Sequence, residues 1–198
     1  MNKNQIILAS ASPRRSELLK QIGIPHHLLP VNVDESVRTD ESPEDFVLRL
    51  AREKAFSGWK RSINQGWDCP ALGSDTVVVL DGHILGKPRD REHGLEMMKR
   101  LSGRSHRVLT AVCLVQGERS DCRISESRVS FRELDQAEIE AYWETGEPAD
   151  KAGGYAIQGI AAQFIREMEG SYSGVMGLPL FETSQLLNEF GIKTLAKK

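Results

Sequence analysis

Several features are scarce in this sequence of 198 residues, and each shortage argues against a class of protein. No apolar run approaches a membrane span, and the apolar start at residues 5–9 is too short for a secretory signal peptide. The formal net charge is only -2, so no global field draws the chain onto nucleic acid or an anionic membrane. We therefore expect a cytoplasmic protein without a nucleic-acid or membrane partner.

Cysteine is also scarce, with only Cys69, Cys113 and Cys122 in the chain. An odd number cannot form a fully paired disulfide framework, and the spacing fits no zinc-binding pattern. We expect reduced thiols in a reducing compartment. The five histidines likewise show neither metal-ligand spacing nor a Ser–His–Asp arrangement.

Composition and pattern indicate one α/β unit, residues 1–198, in which two lobes flank a cleft. Strands are predicted at 5–9, 26–33, 71–80, 83–87, 106–116, 121–132 and 162–168. Helices are predicted from Ser12-Pro13 to Gly23 and at 43–62, 90–101, 135–145 and 180–190. Because strands and helices alternate along the chain, we expect a sheet with flanking helices.

The first candidate site is the segment from Ser10 to Arg15, which reads SASPRR. Ser12 suits a helix N-cap, and this places Arg14 and Arg15 in the first turn, where the helix dipole disfavours cations. An anion bound there would explain both arginines, since backbone amides, serine hydroxyls and guanidinium groups all bind phosphate. The alternative is a pair of solvated arginines whose stems cover apolar surface.

Lys54 interrupts the apolar stripe of its predicted helix. Lysine is seldom buried without a partner. Either its amine reaches out to water, or the stripe borders a cleft and the amine faces an anion.

Asp75 stands at the head of an apolar strand, where a carboxylate is costly unless it is paired or binds a cation. The dipeptide Asp81-Gly82 predicts a two-residue hairpin whose register places Thr76 opposite Lys87. Asp75 then lies within reach of the Lys87 amine. The pair is either catalytic or a structural ion pair.

Two further segments carry polar groups that suit a nucleotide. Glu35 follows the second strand, where carboxylates either bind Mg²⁺ or Mn²⁺ or are ordinary loop residues. Gln158 ends a glycine-rich stretch, 150–159, and its amide suits recognition of a base edge. A plain glycine-rich turn is the alternative for that stretch.

Five motifs together resemble the Maf family, in the order that the family shows. They are SASPRR, AREKA at 51–55, GSDTVVV at 73–79, GKP at 86–88 and DKAGGYAIQG at 150–159. The resemblance runs from about residue 5 to residue 190. It implies the fold that Maf proteins share with the inosine triphosphate pyrophosphatases, an elongated mixed sheet with flanking helices and a central cleft between two lobes. It also implies a divalent cation, a cytoplasmic location and a homodimer.

The resemblance also implies roles for single residues. Asp75 matches the family's proton acceptor, and Arg14, Thr76 and Gln158 match its positions of substrate discrimination. The branch that acts on 7-methyl-GTP carries Trp, Gln and Glu at those three positions, so this sequence resembles the dTTP/UTP branch. A broader pyrimidine specificity that includes modified nucleotides is the alternative within the family.

The resulting hypothesis is a nucleoside triphosphate pyrophosphatase that cuts dTTP or UTP to the monophosphate and pyrophosphate. In it the substrate's triphosphate is surrounded by four cationic side chains, Arg14, Arg15, Lys54 and Lys87. Glu35 and Asp75 hold one Mg²⁺ or Mn²⁺, and whether Asp75 is base, ligand or both stays open. The alternatives are a nucleotide-binding regulator of septum formation without turnover, a 7-methyl-GTP pyrophosphatase, and a purine-specific enzyme of the inosine triphosphatase type.

Overall fold

A computed structural model describes residues 5–194, and in this part of the chain one mixed sheet of seven strands is flanked by six α-helices. The strands are β1 (Ile6–Leu8), β2 (His26–Leu28), β3 (Ala71–Leu80), β4 (His83–Leu85), β5 (Ser105–Gln116), β6 (Arg119–Phe131) and β7 (Ile165–Glu169). The helices are α1 (Pro13–Gln21), α2 (Pro43–Asn64), α3 (Arg91–Leu101), α4 (Gln136–Glu144), α5 (Tyr172–Met176) and α6 (Leu180–Glu189). The predicted α/β class is confirmed.

The sheet has the strand order β2-β1-β3-β5-β6-β7, and β4 pairs with β3 outside this path. β1 runs parallel to both β2 and β3, whereas the remaining pairs are antiparallel. The sheet is therefore mixed, as predicted. Among residues 5–194 no helix is both long and apolar enough to cross a membrane.

Strand β3 is covered by helices on both faces, which explains its nearly continuous apolar sequence. Side chains alternate between the two faces along a strand. Val77 and Val79 pack against α2 in one core cluster, while Leu72 and Val78 belong to clusters on the opposite face. Consecutive residues of β3 thus lie on different sides of the sheet.

Several strand ends differ from the sequence prediction, and one helix was not predicted. β2 ends at Leu28 and not at residue 33, because Pro30 lacks the backbone donor that a continuing strand needs. The short helix α5 was not predicted, since five residues are too few to show a helical period. Ser171 caps it by accepting a hydrogen bond from the backbone N–H of Gly174.

The expectation of three reduced thiols is wrong. Cys113 and Cys122 form a disulfide, and only Cys69 remains a free thiol. The two bonded cysteines stand directly opposite each other on the antiparallel strands β5 and β6, with Cα atoms 4.1 Å apart. Opposed residues share a face of the sheet, so their sulfur atoms meet without any movement of the backbone.

Candidate active site

The candidate site lies beside β3, where the sheet has a gap. β5 pairs with β3 along residues 71–79. On the other edge, β1 reaches only Leu72 and β4 begins to pair at Val78. A cleft of about 640 Å³ opens between the ends of β1 and β4. Residues from both faces of β3 reach it, and for this reason the neighbours Asp75 and Thr76 both line it.

All nine residues that the sequence analysis selected line this one cleft: Ser10, Arg14, Arg15, Glu35, Lys54, Asp75, Thr76, Lys87 and Gln158. They come from the start of α1, the segment after β2, the helix α2, the strand β3 and the segments after β4 and before β7. The predicted gathering of these side chains is therefore observed.

The start of α1 is built as the sequence predicts. Ser12 is the N-cap, Pro13 follows it, and no acidic residue lies in the first turn. Arg15 is fixed in place: its Nε donates to the carbonyl oxygen of Gly177 at 2.8 Å and its Nη1 donates to Ser10 Oγ at 3.1 Å. Burial lowers the pKa of Arg15, and the nearby charge of Asp75 opposes that change. Arg15 is thus not a freely solvated arginine.

Ser10 retains a hydrogen for a ligand. Its hydroxyl oxygen accepts from Arg15 Nη1 and from the backbone N–H of Ser12, both at 3.1 Å. A hydroxyl has two lone pairs and one hydrogen, so these bonds occupy its acceptor capacity. Ser10 is buried and borders the cleft, and its hydroxyl hydrogen has no partner among the contacts described for residues 5–194. An anion in the cleft can accept it.

Lys54 joins two carboxylates. Its Nζ lies 2.6 Å from Asp75 Oδ1 and 2.6 Å from Glu35 Oε1. Lys54 and Asp75 are both buried, whereas the Glu35 side chain is 54% exposed. Partial burial by itself would raise the pKa of Glu35, but Lys54, assisted by Lys87 and Arg15, holds that pKa below its usual value. Of the two predicted alternatives for Lys54, an amine that reaches water or one that faces an anion, the second is observed.

Gly73 makes the contact between Lys54 and Asp75 possible. A Cβ at this position would overlap the carbonyl oxygen of Ala51 and the backbone nitrogen of Ala55, both in α2. Only glycine lets the helix approach the strand so closely. Because of this close approach, Lys54, about one turn after Ala51 in α2, contacts Asp75, two residues after Gly73 in β3.

The predicted contact between Asp75 and Lys87 is wrong. The hairpin has the expected register, but pairing ends at Val78 opposite Leu85. Beyond β4 the chain leaves the sheet, and the carbonyl oxygen of Gly86 accepts from the backbone N–H of Gly153. Asp75 pairs with Lys54, and none of the ion pairs described for residues 5–194 joins it to Lys87. Lys87 is an exposed cation at the rim.

Lys151 belongs to the motif DKAGGYAIQG but was not selected as a site residue; it also lines the cleft and forms an ion pair with Asp150. A lysine in a loop interrupts no periodic pattern, so it gives no signal of its own. With it, the described lining contains five cationic side chains and three carboxylates. The cleft is thus locally positive in a chain whose net charge is -2.

The site suits a divalent cation that shares its ligands with a substrate. Glu35 and Asp75 place oxygen atoms 2.6 Å from the same nitrogen, so the two carboxylates are close enough to hold one cation between them. No group of three or more His, Cys, Asp and Glu side chains suited to a metal occurs among residues 5–194. Mg²⁺ is commonly held by one or two carboxylates together with substrate phosphates. The donor set fits that arrangement.

Comparison with known proteins finds relatives that match nearly the whole chain. One relative, described as dTTP/UTP pyrophosphatase from Alkalilimnicola ehrlichii, is 61% identical over 190 residues that cover 94% of this chain and 93% of the relative. A second with the same description, from Nitrosomonas europaea, is 52% identical over 198 residues and covers 96% of each chain. The match to the solved structure of the Staphylococcus aureus Ham1 protein covers 67% of this chain and 72% of that chain, with a TM-score of 0.40 and 14% identity. Residues 5–190 match the family described as Maf-like protein, and the chain belongs to that family.

Proposed function

We propose that this protein hydrolyses dTTP and UTP to the nucleoside monophosphate and pyrophosphate. The observation that carries the proposal is a buried carboxylate, Asp75, set among cationic side chains in a cleft. Support comes from two full-length relatives, 61% and 52% identical, that are described as dTTP/UTP pyrophosphatases. The triphosphate supplies the negative charge that these cations match.

The cationic residues divide into two groups by their contacts. Arg15 is held by Ser10 and Gly177, and Lys54 by its two carboxylates. These groups act as preorganised charges, which stabilise developing negative charge without reorganisation. Arg14 and Lys87 also line the cleft, and none of the hydrogen bonds or ion pairs described for residues 5–194 holds their side chains, so both can turn toward the phosphate chain. Negative charge that accumulates on the departing pyrophosphate is stabilised by all four.

Asp75 accepts a proton from the attacking water in this proposal. A general base must lie within hydrogen-bond reach of the water it activates. Asp75 meets this requirement because it borders the open gap in the sheet, where a phosphorus atom held by Ser10 and Arg15 would lie. Lys54 positions the carboxylate by binding one of its oxygens.

Glu35 and Asp75 are the residues that would hold Mg²⁺ or Mn²⁺. When bound, such an ion neutralises phosphate charge and lowers the pKa of a water ligand. Lys54 contacts both carboxylates, and this contact holds their oxygen atoms close to each other. The metal requirement, a homodimer and a cytoplasmic location remain predictions.

Thr76 and Gln158 are proposed to contact the pyrimidine. Both line the cleft, Thr76 from β3 and Gln158 from an exposed loop position. A site that hydrogen-bonds the O4 and N3–H edge rejects cytosine, because the mismatched amino group leaves polar groups unpaired. Arg14 affects substrate choice in the same proposal, although its place at the helix start also suits phosphate.

The position of Asp75 also separates this function from that of a nucleotide-binding regulator. A buried carboxylate beside phosphates weakens nucleotide binding by charge repulsion. A protein that only binds nucleotide has no use for such a group, whereas a hydrolase needs a base at that place.

A nucleotide panel tests the proposal. The protein is incubated with dTTP, UTP, CTP, ITP and 7-methyl-GTP, each with Mg²⁺ or Mn²⁺ and with chelator, and both pyrophosphate and phosphate are quantified. We expect pyrophosphate from dTTP and UTP and loss of turnover in chelator. Preference for 7-methyl-GTP or ITP, or release of phosphate in place of pyrophosphate, would contradict the proposed reaction.

A further inference from the structure

Glu35 lies in the cleft, yet it belongs to no helix or strand. Residues 29–42, which connect β2 to α2, form neither. The Glu35 side chain is 54% exposed and pairs with Lys54. Fixing the backbone of such a segment costs conformational entropy, so its order depends on the contacts that tie it to the rest of the fold. The contacts beside Glu35 therefore decide where its carboxylate lies.

Arg49 of α2 ties this segment to the helix. Its Nη2 donates to the carbonyl oxygen of Ser36 at 3.0 Å, and its Nη1 donates to the carbonyl oxygen of Asp34 at a longer 3.4 Å. The backbone N–H of Ser36 also donates to Asp34 Oδ1 at 2.9 Å, which closes a tight turn. Glu35 is thus the central residue of a turn whose two flanking carbonyl groups are bound by one guanidinium group.

The other donors of Arg49 are used on carboxylates of the protein. Nε and Nη2 donate to the two carboxylate oxygens of Glu41 at 2.5 and 2.8 Å, and Nη1 donates to Glu53 Oε2 at 3.5 Å. A guanidinium group has five N–H bonds, and these contacts use all five. The Arg49 side chain is 12% exposed and lies outside the described lining of the cleft. Unlike Arg15, it has no hydrogen to offer a phosphate.

We propose that Arg49 is a positioning residue that holds Glu35 in the cleft through the carbonyl groups on either side of it. Lys54, the ion-pair partner of Glu35, lies on the same helix. α2 therefore holds the backbone of this turn with one side chain and its carboxylate with another. The planar fork of arginine suits the task, since it binds several oxygen atoms in fixed directions. The inference rests on the proposed function, in which Glu35 acts on a bound nucleotide.

Hydrogen exchange in the free protein tests whether Arg49 holds the turn. Arg49→Met keeps an unbranched side chain and removes all five donors. Amide exchange of residues 35–37, followed by NMR, is expected to become about tenfold faster, the effect of one lost hydrogen bond. Arg38→Met is the matched control: Arg38 lies in the same segment and pairs with Glu53. It should keep the wild-type rates. Wild-type exchange in folded Arg49→Met overturns the inference.

A double-mutant cycle tests whether Arg49 acts through Glu35. We measure kcat/KM for UTP with wild-type protein, Arg49→Met, Glu35→Gln and the double variant, and urea unfolding confirms that each is folded. Arg49→Met should lower kcat/KM by about ten- to a hundredfold, the usual effect of misplacing a group in an active site by about 1 Å. In the Glu35→Gln background the same change should cost less than about twofold, because the group that it misplaces is already gone. Equal losses in both backgrounds would mean that Arg49 only stabilises the fold, and would overturn the inference.

Arg49→Lys keeps the inference testable if the methionine variant does not fold. A lysine retains the ion pair with Glu41, but its single ammonium group does not reach the two carbonyl oxygens as well. We expect faster exchange at residues 35–37 and a lower kcat/KM, and wild-type values of both would overturn the inference. If Glu35→Gln turns over too slowly to measure, the exchange rates decide. A wild-type protein that turns over neither UTP nor dTTP contradicts the proposed function, whereas the exchange rates of the free protein still test the role of Arg49.

Discussion

Lys54 and Asp75 form a buried ion pair, Nζ to Oδ1 2.6 Å, although they are 21 residues apart and belong to a helix and a strand. Each is a charged residue in an otherwise apolar segment. The ion pair compensates the burial of both charges, and the carboxylate still borders the cleft. The pair thus holds a reactive group in an otherwise hydrophobic layer, where its position is fixed by the packing of α2 on β3.

Replacing Asp75 by asparagine should abolish most turnover and preserve nucleotide binding. The change keeps the shape of the side chain and removes its ability to accept a proton. We expect kcat to fall by about 10²- to 10⁴-fold, the usual contribution of general acid–base catalysis. Affinity for a non-hydrolysable UTP analogue, measured by calorimetry without a divalent cation, should be equal or higher because one negative charge near the phosphates is lost.

The matched control is Asp81→Asn. Asp81 lies in the turn after β3 and pairs with Arg104 on the surface, so its replacement should leave kcat unchanged. Wild-type turnover by Asp75→Asn would remove Asp75 from the reaction.

Replacing Gly73 by alanine should lower both stability and activity. The new methyl group overlaps the backbone of α2 at Ala51 and Ala55, so the helix must move away from β3. Overpacking of this kind costs about 1–3 kcal/mol of unfolding free energy. Activity should fall further than the loss of stability explains, since Lys54 moves with the helix. Urea unfolding and kcat measured below the unfolding transition separate the two effects.

Gly86→Ala is the control for folding. A Cβ at Gly86 meets nothing within 4 Å, so the unfolding free energy should stay at the wild-type value. Equal stabilities of the two variants would show that the close approach at Gly73 is not required.

The contact between Lys54 and Asp75 also shows how far sequence reasoning extends. Both residues could be selected because each interrupts an apolar pattern, and the motifs indicated that they belong to one site. The sequence did not show that they touch, because that depends on how closely α2 lies on β3. The predicted partner of Asp75, Lys87, followed from a correct hairpin register extended beyond the point where pairing ends.

The disulfide was missed for a related reason. The sequence predicted that the sixth strand starts at residue 121, whereas β6 starts at Arg119 after a two-residue turn at Gly117 and Glu118. The observed register places Cys113 opposite Cys122. The predicted four-residue connection between these two strands does not define their register, so the sequence did not predict that the two cysteines pair.

Replacing Ser10 by alanine should weaken substrate binding. The hydroxyl hydrogen of Ser10 has no protein acceptor among the contacts described for residues 5–194, and a phosphate oxygen is its expected partner. Hydrogen bonds to charged groups contribute about 1.5–3 kcal/mol, so KM should rise by roughly ten- to a hundredfold. Steady-state kinetics with UTP give the value. Ser184→Ala, at a partly buried position of α6 outside the cleft lining, should leave KM unchanged. Equal KM values for all three proteins would mean that Ser10 has only a structural role.

His106 should make the protein less stable in mild acid. It is 3% exposed, its Nε2 lies 2.8 Å from the hydroxyl oxygen of Tyr155, and its Nδ1 has no hydrogen-bond partner among residues 5–194. Burial lowers the pKa of His106 from 6.5 to about 4. Between these values the unfolded chain binds a proton that the folded protein does not, so stability decreases as the pH falls through this window. One pKa unit corresponds to about 1.4 kcal/mol, and the full effect is therefore about 3 kcal/mol.

Surface carboxylates also titrate in acid, so the effect of His106 is isolated by comparing how steeply the unfolding free energy of two proteins changes with pH. Urea unfolding of wild-type protein and His106→Gln is followed from about pH 7 to about pH 4.5. We expect the glutamine variant, which has no titrating ring, to lose less free energy across this range than the wild type. His83→Gln, at an exposed position, should show the wild-type slope. If the unfolding free energies of wild type and His106→Gln change equally with pH, the buried imidazole takes up its proton without unfolding. Such uptake requires a hydrogen-bond acceptor near Nδ1, and the described packing around Phe131 and Tyr155 provides none.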